Sequence, residues 1–120
     1  MSNKVNLLEK FDLFNDYWSP KIVGELNGQQ VKIAKVKGEF VWHDHANEDE
    51  LFMVVKGELK IQLKSQEIIL NEGEVYIVPR GVEHKPIAEE ECWILLFEPK
   101  KIEHTGKTVS KLTKMGDEWI

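Results

Sequence analysis

Apolar and polar positions along this chain change period several times, and each change marks an element. The stretch ELKIQLK alternates strictly, with Leu59, Ile61 and Leu63 on one face and Glu58, Lys60, Gln62 and Lys64 on the other. That is the two-residue period of a strand with one dry face and one wet face. By contrast LFMVV (51–55) and CWILLF (92–97) are apolar on both faces. Each predicts a strand covered on both sides, by the N-terminal segment or by a second copy of the chain, and a homodimer is the preferred expectation. Residues 5–14 place Val5, Leu8 and Phe11 about a helical turn apart, which predicts a short helix that holds only by docking on something else. From Lys21 onward, short apolar segments are broken by turn signals at Asn27-Gly28, Lys37-Gly38, Lys56-Gly57, Asn71-Glu72-Gly73 and Pro79-Arg80-Gly81. This regular punctuation predicts an all-β sandwich or barrel.

Length and charge narrow the classes. At 120 residues the chain suits one domain with one core, with a barrel over about 21–98 and a C-terminal tail over 99–120. No apolar run approaches the roughly 18 residues of a membrane span. The N-terminal MSNKVNLLEK lacks the basic and apolar regions of a secretory signal, and the single cysteine, Cys92, has no internal partner for a disulfide. A reducing cytoplasm is the expected setting. The net charge is −5 and the lysines are scattered among carboxylates, so the basic stripe of a nucleic-acid binder is missing and a small-molecule or protein partner is expected.

The chemistry concentrates in WHDHANEDE, Trp42 to Glu50. If 39–45 is a strand, Glu39, Val41, His43 and His45 share one face, with Phe40, Trp42 and Asp44 on the other. Two imidazoles a little under ~7 Å apart along a strand can converge on one ion. After a bend at Ala46-Asn47, Glu50, Phe52 and Val54 share a face, and a carboxylate among apolar neighbours is costly to bury unless something pairs with it. A histidine on a strand is nevertheless more often packed or solvated than a ligand, and acidic runs are usually loop. Downstream, GEVYIVPRGVEH predicts a strand from Val75 to Val78 that ends at Pro79, turns through Arg80-Gly81 and delivers His84 to the next strand.

Together these segments resemble a known family. Gly38-EFVW-His43-Asp-His45-ANED-Glu50-LFMVVK-Gly57 is similar to the first cupin motif, and Gly73-EVYIV-Pro79-Arg-Gly81-VE-His84 to the second. The likeness is strongest over 38–88. One residue fewer separates Gly38 from His43 than in the family pattern, and Ala88 stands where that pattern ends in Asn. The resemblance implies a cupin jelly-roll, a double-stranded β-barrel of two antiparallel sheets. It also implies a three-histidine, one-glutamate site for a divalent transition metal (Fe, Mn, Zn, Ni or Co), with His43, His45, Glu50 and His84 as ligands. At superfamily level it extends to small cupins described as similar to mannose-6-phosphate isomerase.

The expected function is chemistry on a small polar organic molecule at that ion, by oxygenation or isomerisation. The alternative is a binding or sensing module that uses the metal only to hold an anionic ligand, a reading favoured by the lack of any further acid or base near the motif. Arg80 reads as a solvated turn residue within reach of an anionic substrate, Trp42 and Tyr76 as core or interface, Cys92 as a small buried hydrophobe and His104 as exposed. The closing Trp119-Ile120 reads as an anchor for the tail.

Overall fold

In the computed structural model, which describes residues 3–100 and 117–120, the chain forms eight strands and one short helix: α1 Leu7–Phe11, β1 Lys21–Leu26, β2 Gln29–Glu39, β3 Glu50–Lys56, β4 Leu59–Leu63, β5 Glu67–Leu70, β6 Val75–Val78, β7 His84–Pro99 and β8 Glu118–Trp119. The long β7 ties the structure together. Its first residues pair antiparallel with β4, its remainder pairs with β2, and residues 93–97 pair also with β3 on the other side. The strands run in the order β5-β4-β7-β2-β1-β8, with β6 joined through β3. This is the all-β jelly-roll that the sequence predicts. Among the described residues no helix is long and apolar enough to cross a membrane.

The turns act where the sequence places them. Asn27 (φ 50°) and Gly28 (φ 78°) both take positive φ between β1 and β2, as a tight hairpin requires. At Gly57 (φ 92°) space is also short, because a Cβ there would lie 3.0 Å from the Glu91 carbonyl oxygen and 3.3 Å from Cys92 Cα. Only glycine lets β3 turn into β4 so close to β7.

Two apolar clusters result. The interior one joins Ala34, Val36, Phe52, Val54, Leu59, Ile61, Leu70, Val78, Cys92 and neighbours. The second lies outside the barrel and answers the question of the doubly apolar strands: Phe11, Phe14, Val23 and Ile33 are buried there against Val55, Trp93, Leu95 and Ile120. The N-terminal segment therefore covers that side. The helix is five residues long, shorter than the 5–14 pattern suggests; Asn6 caps it by accepting from the Glu9 N–H at 3.1 Å, and the Phe11 ring stacks on Trp93 at 4.7 Å. The chain end is held as well. Trp119 is exposed, but β8 pairs parallel with β1 and the Ile120 N–H donates to the Ile22 carbonyl. His104 and the tail over 101–116 lie outside the described residues.

One expectation fails. Residues 39–45 are not a continuous strand, since β2 stops at Glu39 and a loop follows to β3. The reason is visible across the gap. Phe40 N–H donates to the Pro86 carbonyl at 2.9 Å, and proline has no N–H to return the bond. Reciprocal pairing resumes at a single point, where His43 and His84 exchange both backbone bonds, at 3.1 and 2.9 Å.

Candidate metal centre

His43 and His84 face each other because their backbones are paired, and the loop brings His45 round beside them, pinned where Gly81 N–H donates to its carbonyl at 2.8 Å. Glu50 arrives from the first position of β3, in phase with inward-facing Phe52 and Val54. All four side chains are buried, at 1–5% exposure, and one ligand atom from each can be chosen so that all four lie within 4.8 Å of one another. The structure thus brings together all four residues that the sequence nominated as metal ligands. Phe40 joins them from the face assigned as opposite, its ring edge-on to His43 at 5.4 Å, because the loop does not keep a strand's alternation.

The hydrogen bonds leave donor atoms pointed at a common centre. His43 Nδ1 lies 2.8 Å from the Val41 carbonyl and His84 Nδ1 2.9 Å from the Val82 carbonyl. A carbonyl can only accept, so in each neutral ring Nδ1 carries the hydrogen and Nε2 keeps its lone pair. Inside, Glu50 Oε1 is 3.5 Å from both His45 Nε2 and His84 Nε2. These three atoms are buried with no hydrogen-bond partner, an arrangement expensive to maintain in a dry interior unless a cation takes them up. Ligand atoms bound at about 2.1 Å sit roughly 3 Å apart at right angles and 4.2 Å apart when opposite, so small rotamer adjustments close this cage on an ion. The donor set fits a divalent transition metal.

The electrostatics run the same way. Burial, aided by the neighbouring His84, lowers the His43 pKa to about 4, which keeps the ring neutral. Burial opposes ionisation of Glu50, but the neighbouring Glu98, His45 and His84 side chains more than offset it and hold the carboxyl well below the usual range.

Glu98 was not legible as a site residue. It is 1% exposed on β7, and the register that sets Leu51 against Phe97 and Phe52 against Leu96 puts it directly across from Glu50. Burial and the Glu50 charge raise its pKa well above the ordinary value. Its Oε1 accepts from the equally buried Lys32 at 2.9 Å, and Lys32 also meets Asp117 Oδ2 at 2.7 Å. The expectation that no further acid or base lies near the motif is therefore overturned. The available signal was phase: Glu98 continues the inward series Cys92, Ile94, Leu96, and Lys32 leads into Ala34 and Val36.

A small cleft of about 40 Å³, open to solvent, reaches the cluster. Its polar lining is His43 and Glu50, and the rest is apolar, including Trp18, Phe40, Phe52 and Leu96. Trp18, unremarked in the sequence, sits at φ 57°, rare for a bulky residue. Its indole N–H donates to the Lys37 carbonyl at 2.9 Å and its ring stacks on Phe40 at 4.8 Å, forming one wall. The remaining candidates stay outside. Arg80 is exposed and 3.6 Å from Asp49, Tyr76 packs at the core's margin, Trp42 lies under Lys64, and burial pushes the Cys92 thiol up to about 12, an unreactive thiol.

Comparison with known proteins agrees with this geometry. Residues 30–98 match the model of the cupin domain. The chain is 34% identical to the Bacillus subtilis protein YdbB over 71% of its length and 76% of that protein's. It is 52% identical to a cupin-2 domain containing protein from Shewanella frigidimarina of known crystal structure, with a TM-score of 0.79, over 80% of this chain and 94% of that one. It is also 26% identical to 3-hydroxyanthranilate 3,4-dioxygenase of Xenopus tropicalis over 86% of its own length, spanning 39% of that enzyme.

Proposed function

The chain belongs to the cupin family, and from that premise we propose that it is a metal-dependent enzyme whose ion, held by His43, His45, Glu50 and His84, oxygenates a small molecule with a largely apolar body. The carrying observation is the set of unpartnered Nε2 and Oε1 atoms of His45, His84 and Glu50, met by an apolar cleft at Glu50 and His43. When bound, the metal supplies Lewis acidity toward a donor oxygen and reactivity with dioxygen. The chain's own residues do the rest. The two Nδ1–H···O=C bonds fix the imidazoles, and Trp18, Phe40 and Leu96 exclude water from the bound molecule.

The lining supports oxygenation over isomerisation of a sugar. A polyhydroxylated substrate would leave hydroxyls buried against Phe52, Ile94 and Leu96 without partners, at roughly 1–3 kcal/mol each. A flat molecule with one or two oxygens directed at His43 and Glu50 meets no such penalty. The likeness to a dioxygenase of hydroxylated aromatic substrate points the same way. The partner expected from the doubly apolar strands, a second copy, fits the outer face of β6, where Val75 and Ile77 are half exposed beside Met53 and Leu51.

Oxygen consumption by the Fe(II)-loaded protein, measured against a panel of hydroxylated aromatics and a panel of sugar phosphates, tests the reading. Uptake with the first panel and product carrying both atoms of dioxygen is expected. Tight binding of an anionic ligand with no turnover in any metal form would instead establish the non-catalytic alternative.

A further inference from the structure

Two carboxylates buried face to face across a strand pair require an explanation that a metal ligand set alone does not give. Glu50 and Glu98 are 5% and 1% exposed, and like charges directly opposite in a sheet destabilise it. Glu98 is nevertheless held in place deliberately. One oxygen is fixed by Lys32 at 2.9 Å, and Lys32 is fixed in turn by Asp117 at 2.7 Å, with all three side chains at most 4% exposed. The other oxygen, Oε2, is buried with no hydrogen-bond partner, and the strand register sets Glu98 across from Glu50 on the neighbouring strand. Lys32 and Glu98 come from adjacent strands, but Asp117 comes from the closing segment, which is itself laid along β1 by the pairing of Lys21 with Glu118 and Ile22 with Trp119.

Resting on the metal reading above, we propose that Glu98, anchored by Lys32 and Asp117, is the positioning residue for Glu50, fixing its carboxylate toward the ion and coupling the closing segment to the metal centre. The row Asp117–Lys32–Glu98 is a path of direct contacts that ends across the strand pair from Glu50. Partners of this kind orient a ligand and tune its basicity, and their loss typically weakens metal binding about 10–100-fold.

The test uses the full chain loaded with Co(II), whose visible absorption reports ligand geometry, with affinity measured by chelator competition. Glu98→Ala is expected to bind about 10–100-fold more weakly with shifted bands. Glu98→Gln, whose amide can accept from Lys32 and donate to Glu50, is expected to restore both to within about threefold. If Glu98→Ala does not fold, Asp117→Asn supplies the answer, with a several-fold loss and a smaller band shift expected. Spectrum and affinity unchanged in whichever of these variants folds, or equal losses in Glu98→Ala and Glu98→Gln, would overturn the proposal. His45→Ala serves as the control: if it also takes up Co(II) like the wild type, the metal reading itself falls, whereas its failure beside an unperturbed Glu98 variant sinks only the positioning role.

Discussion

The barrel interior has two ends built on the same strands but by opposite physics. At one end Val54, Leu59, Ile61, Leu70 and Cys92 are buried side by side without a charge among them. At the other lie His43, His45, Glu50, His84, Glu98 and Lys32, equally buried. β3 carries both, from Glu50 through Phe52 to Val54. The apolar end stabilises the fold by removing surface from water, roughly 25 cal/mol per Å². The polar end cannot, because its unpartnered nitrogens and oxygens lose hydration without replacement. A fold that keeps such an end does so for binding, and stability and function should therefore be separable along a single strand.

The largest expected separation comes from Ile61→Ala, which should destabilise by about 2–5 kcal/mol through the cavity it leaves, while Co(II) affinity per folded molecule stays at the wild-type value. Urea unfolding alongside chelator competition measures both. Conversely, divalent metal at about 100 times its Kd should add about 2.7 kcal/mol to wild-type stability and nothing to Glu50→Ala.

Acid sharpens the contrast. His43 is held neutral down to about 4, against about 6.5 in the unfolded chain. Between those values the unfolded state binds a proton that the folded state refuses, so the metal-free protein should lose roughly 3 kcal/mol of stability as pH falls from 6.5 to 4, with no contribution from this residue above that window. Glu98 opposes the effect. Its folded pKa is raised, so its contribution is complete below about 4.5 and is lost as pH rises through the folded value. Glu98→Gln should therefore show a steeper acid-side loss than the wild type in urea titrations at stepped pH.

Gly57→Ala should cost about 1–2 kcal/mol from its positive φ, with more from the contact with the Glu91 carbonyl, and should disturb the apolar end first. The smallest effect belongs outside the barrel: if a second copy seats on the outer face of β6 as proposed, light scattering should show a dimer for the wild type and a monomer for Ile77→Lys, with metal affinity unchanged.

Why the sequence revealed one end of the barrel better than the other follows from the range of the interactions. The strands were legible from alternation such as Leu59, Ile61, Leu63 and from glycine turns, both local signals. The four candidate ligands were legible because His43 and His45 are nearly adjacent and the two motifs have fixed spacing. The path of residues 39–45 was not, because it depends on Pro86, across the barrel, offering a carbonyl but no N–H. Glu98 and Lys32 were hidden for a similar reason. A charge in a strand reads as solvated; phase with the apolar series points these two inward, but only the pairing of β2, β3 and β7 sets them beside Glu50. Trp18 takes its place in the cleft from a positive φ that no periodicity announces.

The most direct test of the central claim is metal content in protein purified without oxygen or chelator, wild type beside His43→Ala. The four-residue centre predicts about one transition-metal ion per wild-type chain and almost none in the variant, with the same far-ultraviolet circular dichroism for both. Equal occupancy in the two proteins, or a wild type that takes up none of the divalent ions offered to it, would contradict the account.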